Sequence, residues 1–313
     1  MRQYREVLEV CKWLSAADVL RHSWTSAVWA KAGDSEELWQ LLAAHFHLEP
    51  GEHAKTCFRR LAQAQNTLVI VRPTEMKVFS VRQRQGILSN QLSQRLQVDD
   101  FTSTILLPDA SIMCCGGSLG KPWRSAYRVL IGGIAQSLNS LTFPRSGHGM
   151  AVCDKSVFAF GGCGGSTCEA IEWAPLHELT QHSWRRLPNM LAARSYFTPC
   201  VLRHLIYLCG GFTDTCELFD SQRQSYRLLA VWLPESSEMC AVIVQQELLL
   251  LSPRYTSRLS LKSLELESEA HPQWAGVWGS MNAVIYQHLV CAPFATAVNL
   301  FDLRTHSKSS LKA

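Results

Sequence analysis

The chain has 313 residues, 47% hydrophobic and 18% charged, which is enough apolar surface for one large or two smaller folded domains and excludes wholesale disorder. A net charge of +4 is too small to argue for a nucleic-acid surface. Its 18 glycines and 12 prolines favour turn-rich β structure over a helix bundle.

The 12 cysteines fall well below the density of a disulfide scaffold, and no apolar stretch follows the charged opening Met1-Arg2-Gln3-Tyr4-Arg5-Glu6. Reduced thiols in a cytoplasmic or nuclear protein are therefore expected. Ala270 to Phe301 lacks charged residues, but Gln273, Asn282, His288, Pro293 and Asn299 interrupt it. No membrane span is expected there.

The first fifty residues predict helices. Val7, Leu8, Cys11 and Leu14 line one helical face. Ser15-Ala16-Ala17-Asp18 has the form of a capping box that starts a second helix, along which Val19, Leu20, Trp24 and Val28 continue an apolar stripe. Asp34-Ser35-Glu36-Glu37 starts another, followed by Leu38, Trp39, Leu42 and Phe46. Too small to bury much alone, this unit would cap the remaining chain or dock elsewhere. Its residues resemble an F-box: Leu14, Asp18, Leu20, Trp29, Leu38 and Trp39 match that family's pattern position by position. The family's usual Leu-Pro near the start is replaced by Tyr4-Arg5. The resemblance implies docking on a Skp1-type adaptor of a cullin ubiquitin ligase, through Leu14, Leu20, Trp24, Trp29, Leu38 and Trp39.

From Leu68 onward short apolar runs alternate with Gly, Ser, Pro and Arg, which predicts strands. These runs repeat. Ser111–Gly117, Met150–Gly162 and Thr198–Gly211 each end an apolar strand on Gly-Gly, and Gly116, Gly161 and Gly210 stand 45 and 49 residues apart. Val71, Leu251 and Ala292 mark three further copies without the double glycine. A second pair of strands follows each copy, as in Glu217-Leu218-Phe219-Asp220 and Tyr226-Arg227-Leu228-Leu229. Four-stranded units of this kind must stack to bury both faces. The Gly-Gly ends, the aromatic-Asp strand, and Trp184-Arg185-Arg186-Leu187-Pro188 followed by Met190 and Arg194 resemble a kelch repeat. The expected fold is mainly β: a six-bladed kelch-type propeller over residues 67–313, preceded by an F-box-like all-α unit at 1–50 and a linker or first-blade start at 51–66.

No motif carries catalysis, and no cofactor is expected. Gly161-Gly162-Cys163-Gly164-Gly165 lacks the Lys-Ser/Thr and the helix of a phosphate loop. Cys163, Cys168, His177 and His182 form the one metal-like spacing, yet cysteine recurs at equivalent strand positions as a small apolar filler, so no metal site is expected. Kelch-like copper-radical oxidases exist, but their Cys–Tyr and His ligands are not singled out here. By resemblance Arg145, Ser146, Arg194, Ser195 and Tyr196, which start blades, form a substrate-binding face; the alternative is that they only tie blades together through backbone carbonyls. The expected function is an adaptor presenting a protein substrate to a Skp1–cullin ligase, without nucleic-acid or membrane partners; the alternative is an interaction scaffold with no ligase role.

Overall fold

A computed structural model describes residues 67–80, 85–99, 101–109, 111–118, 120–130, 133–163, 169–181, 183–244, 246–252, 254–270, 284–286, 289–294, 297–302 and 307–312. The F-box-like unit and the linker lie outside the described residues, so the expectations for Leu14, Leu20, Trp24, Trp29, Leu38 and Trp39 are not addressed by the fold.

Among the described residues, six antiparallel sheets follow one another along the chain. The first has three strands, β1 (Thr67–Val71), β2 (Glu75–Ser80) and β3 (Gln85–Gln91). The second is β4 (Ser103–Leu106), β5 (Ile112–Cys115), β6 (Ala126–Val129) and β7 (Ala135–Ser137). In the third, β8 (Gly149–Cys153), β9 (Ser156–Phe160) and β10 (Ile171–Pro175) lead through a 3-10 turn, Leu176–Glu178, to β11 (Arg185–Leu187). The fourth holds β12 (Cys200–Leu202), β13 (Leu205–Cys209), β14 (Thr215–Asp220) and β15 (Ser225–Trp232). The fifth holds β16 (Cys240–Val244), β17 (Glu247–Leu251), β18 (Tyr255–Ser260) and β19 (Leu266–Ala270). The sixth holds β20 (Val284–Tyr286), β21 (Leu289–Phe294), β22 (Ala297–Asp302) and β23 (Ser307–Lys312). Within each sheet, every strand pairs with its sequence neighbours.

The residue alternation within the second strand of each sheet explains why the sheets stack. Successive side chains of a strand point to opposite faces. In β5, Ile112 and Cys114 pack with Met76 of the first sheet, whereas Met113 and Cys115 pack with Met150, Val157 and Ala159 of the third. In β9, Val157 and Ala159 face back to the second sheet, and Phe158 and Phe160 face forward to Ile206, Leu208 and Phe219. In β13, Ile206 and Leu208 face back while Tyr207 and Cys209 join Leu248 and Leu250 of the fifth sheet. A strand buried on both faces must be apolar throughout, and β9 is buried from end to end. The outermost strands have one wet face and alternate instead: in β15, Leu229 and Val231 are buried and Leu228 and Trp232 exposed. The first strands β4, β8, β12 and β16 neighbour one another in turn, so these four sheets stand as successive blades of a propeller.

Tight hairpins close the inner strand pairs. Cys153 pairs with Ser156, leaving Asp154 and Lys155 as a two-residue loop, with φ of 47° and 61°. Positive φ at both positions is the turn whose twist matches the strands, and Asp tolerates it better than most residues.

Candidate partner-binding face

In the second, third and fourth blades the lead-in and the Gly-Gly end of the second strand lie at the same end of the sheet, because the hairpin between the first two strands turns at the other. At this end the lead-in segments bond directly to one another. The Gly147 N–H donates to the Phe101 carbonyl at 3.0 Å, the Tyr196 N–H to Gly147 at 2.7 Å, and the Met239 N–H to Tyr196 at 2.9 Å. Each bond crosses one blade boundary. A second tier repeats the pattern: the N–H groups of Gly117, Gly162 and Gly211 donate to the carbonyls of Arg145, Arg194 and Ser237 at 2.9, 2.8 and 3.2 Å. Glycine is required for this close approach. A Cβ on Gly162, which sits at φ +99°, would come within 2.8 Å of the Ser146 oxygen and of the His148 Cβ.

Below this ladder lie two equivalent ion pairs. Arg145 has 0% exposure and Arg194 1%. Arg145 Nη2 and Nε donate to Glu172 Oε1 at 2.7 and 3.1 Å, while Nη1 donates to the Gly161 and Ala170 carbonyls at 2.6 and 2.9 Å. Glu172 also accepts the backbone N–H groups of Thr142 and Phe143. Arg194 repeats this with Glu217 at 2.8 and 3.2 Å, Gly210 and Thr215, and Glu217 accepts the N–H groups of Leu191 and Ala192. Each pair clamps a lead-in to the second and third strands of its own blade, while the arginine's carbonyl holds the preceding blade. Such pairs need full hydrogen bonding to offset desolvation, and these have it.

The neighbouring blades lack the pair. Asp99 stands at the arginine position of the second blade, where it accepts the N–H of Ser118 and the hydroxyl of Thr102; Tyr127 occupies the glutamate position and its hydroxyl accepts the Gln97 N–H. In the fifth blade Ser237 and Ser257 fill the two places, with Ser257 bonded to Ser268 at 2.8 Å.

The structure thus separates the five expected face residues. Arg145 and Arg194 are interior. Ser146 and Ser195 are buried too; Ser146 bridges through its backbone to Cys163, and the Ser195 N–H donates to Gly211. Tyr196 alone is half-exposed. Its ring lies against Gly147 and meets two others edge-on: Phe101 at 6.0 Å and 88°, and Phe212 at 5.7 Å and 90°. Phe101 is 41% exposed and Phe212 55%. Tyr196 and Phe212 hold left-handed φ values of 58° and 64°, strained for bulky residues. Burial, helped by Cys163, Glu238 and Asp99, raises the Tyr196 pKa.

Sequence reasoning missed Phe101, Phe212, Glu172 and Glu217. The glutamates do carry a signal, since both stand directly opposite the residue two before the first glycine, Ala159 and Leu208. It also missed His148, which is buried with both ring nitrogens unpartnered among the described residues. Burial, reinforced by Arg145, holds its pKa well below the ordinary histidine value.

Of the metal-like spacing, only Cys163 and His177 are among the described residues, and they stand at different strand ends. Cys163 follows the Gly-Gly end of β9, whereas His177 lies beyond the far end of β10; Cys168 and His182 are outside the described residues. No group of three or more His, Cys, Asp or Glu among the described residues is placed to hold a metal ion. Cys115, Cys200 and Cys209 are buried thiols whose pKa burial raises, and burial pushes Cys114 up to about 12. No helix among the described residues is long and apolar enough to cross a membrane.

No protein-family profile matches the chain. An F-box/kelch-repeat protein of Arabidopsis thaliana is 26% identical over 132 residues, covering 37% of this chain and 33% of that protein. The kelch repeat and BTB domain-containing protein 2 of horsepox virus is 38% identical over 66 residues, 21% of this chain and 12% of that protein. The matches thus span a third or less of these curated relatives. Stacked antiparallel meanders with Gly-Gly strand ends that bond three blades to their neighbours give the described residues a propeller arrangement, and segments of the chain are similar to two kelch-repeat proteins, which supports a propeller of the kelch type.

Proposed function

We propose that this chain is a substrate-recognition adaptor of a Skp1–cullin ubiquitin ligase. The N-terminal helices dock the adaptor protein through Leu14, Leu20, Trp24, Trp29, Leu38 and Trp39. The propeller, its six sheets closing one ring, captures a protein substrate on the face around Tyr196. The observation that carries the capture role is the convergence of the lead-in segments on an exposed cluster of Phe101, Tyr196 and Phe212. Exposed aromatic patches on a rigid scaffold mark interaction sites more often than chance exposure does. Arg145 and Arg194 serve this face from within by fixing the segments that bear it. Support for the docking role comes from the F-box-like pattern of residues 1–50 and from the F-box/kelch relative.

Co-purification of the full chain with a Skp1-type protein is the test. Wild type is expected to retain the adaptor and the Leu14→Ala, Trp39→Ala variant to lose it. Failure of the wild type to retain any Skp1-type protein would favour the second reading, an interaction propeller without a ligase role.

A further inference from the structure

We infer that the Phe101–Tyr196–Phe212 cluster takes a lysine or arginine side chain from a basic peptide segment of the partner. This inference rests on the reading of that face as the capture surface and adds its chemistry.

The cluster has the parts such recognition needs. Two perpendicular rings flank the half-exposed tyrosine, and a cation held within about 6 Å of a ring centroid is attracted by the ring's negative face. Carboxylates stand beside it. Asp99 caps the N–H of Phe101 at 3.0 Å, and Glu238 precedes Met239, whose N–H bonds to the Tyr196 carbonyl. Among the described residues, no lysine or arginine pairs with Asp99 or Glu238. The buried Arg145 and Arg194 are neutralised by Glu172 and Glu217. Elsewhere, Arg254 pairs with Glu235 at 3.1 Å, and exposed Lys121 and Arg124 lie in the loop between β5 and β6. The carboxylates of Asp99 and Glu238 therefore act on the tyrosine ring with no cation beside them among the described residues, on a chain whose net charge is positive. An acidic segment would meet repulsion here, and a purely apolar one would strand the half-buried Glu238 carboxylate without a partner.

The backbone supports a binding role for Phe212. A turn at φ +64° is met at least cost by glycine, yet a large ring stands there, mostly in solvent.

The test pans a displayed random heptapeptide library against the full chain, with the Phe101→Ala, Phe212→Gly variant as counter-bait. Both rings are exposed and glycine suits the Phe212 backbone, so the variant keeps the wild-type melting curve. Ring-dependent binders enriched in Lys and Arg are expected. The selected peptide, titrated by fluorescence anisotropy, should bind Phe212→Gly about three- to thirtyfold more weakly. Glu238→Gln should weaken it more at low salt than at about 0.5 M. Ring-dependent binders that are acidic or purely apolar would overturn the basic class while leaving the capture face in place. Absence of any ring-dependent binder would overturn both.

Discussion

Replacing Glu217 by Gln removes one charge from the interior while preserving side-chain volume. Glu217 and Arg194 are both fully buried. The carboxylate accepts two bonds from Arg194 and one each from the Leu191 and Ala192 N–H groups. An amide in its place turns a donor toward groups that are all donors and leaves the guanidinium charge uncompensated. Removing one partner of a buried pair costs about 3–5 kcal/mol, a large share of the roughly 5–15 kcal/mol that holds a typical domain together. The half-exposed pair Arg185–Glu178, at 2.8 Å, provides the control: Glu178→Gln should cost under about 1 kcal/mol. Urea unfolding of both variants at matched pH gives the comparison. Equal, small shifts in midpoint would refute the claim that Glu217 holds the lead-in of the fourth blade. Changing both partners, Arg194→Met with Glu217→Leu, should recover part of the loss, limited by the carbonyls and N–H groups left unpaired.

Other outcomes follow from the same geometry. Gly162→Ala should cost about 2–4 kcal/mol in thermal unfolding, from its left-handed backbone plus the clash with Ser146 and His148, whereas Gly120→Ala, with open space at φ +82°, should cost only about 1 kcal/mol. His148 has a folded pKa below its unfolded value of about 6.5, so its contribution is complete above that pH and is lost as pH falls. Stability should drop by about 1.4 kcal/mol per pH unit below 6.5 until the folded histidine itself protonates, and His148→Phe, matching Phe197 of the next blade, should flatten that slope in urea midpoints between pH 7.5 and 5.5. Among the described thiols, half-buried Cys163 should react first with an aromatic disulfide reagent, and Cys114, Cys115, Cys209 and Cys216 only on unfolding, as peptide mapping would read.

The repeat was legible because the physics behind it is local. An inner strand meets a neighbour on each face, so Ser156–Phe160 and Leu205–Cys209 had to be apolar in nearly every position, and where the next lead-in approaches closely, as at Gly162, the strand end had to be glycine. The strand positions of Cys153, Cys200, Cys240, Cys115 and Cys209 follow from the same rule. The fate of Arg145 and Arg194 was not legible, since an arginine at a blade start reads as a surface group until its glutamate is found 27 or 23 residues later. Phe101 and Phe212 carry no periodic signal because they belong to lead-ins and loop tips. Phe212 meets Tyr196 within one blade, from the loop after β13 to the lead-in of β12, while Phe101 meets it only when the second, third and fourth blades stand side by side, a contact across 95 residues of sequence. The first sheet shows a related gap. Val71 ends β1 in a three-stranded sheet, so the copy it marks has no earlier strand among the described residues.

The affinity of the full chain for a purified Skp1-type adaptor bears most directly on the proposed role. Titration calorimetry should give one adaptor per chain, with at least tenfold weaker binding for Leu14→Ala, Trp39→Ala and unchanged binding for Phe101→Ala, Phe212→Gly. A full chain that folds, keeps its ring-dependent peptide binding and yet gives no heat with the adaptor would contradict the adaptor role and leave an interaction propeller.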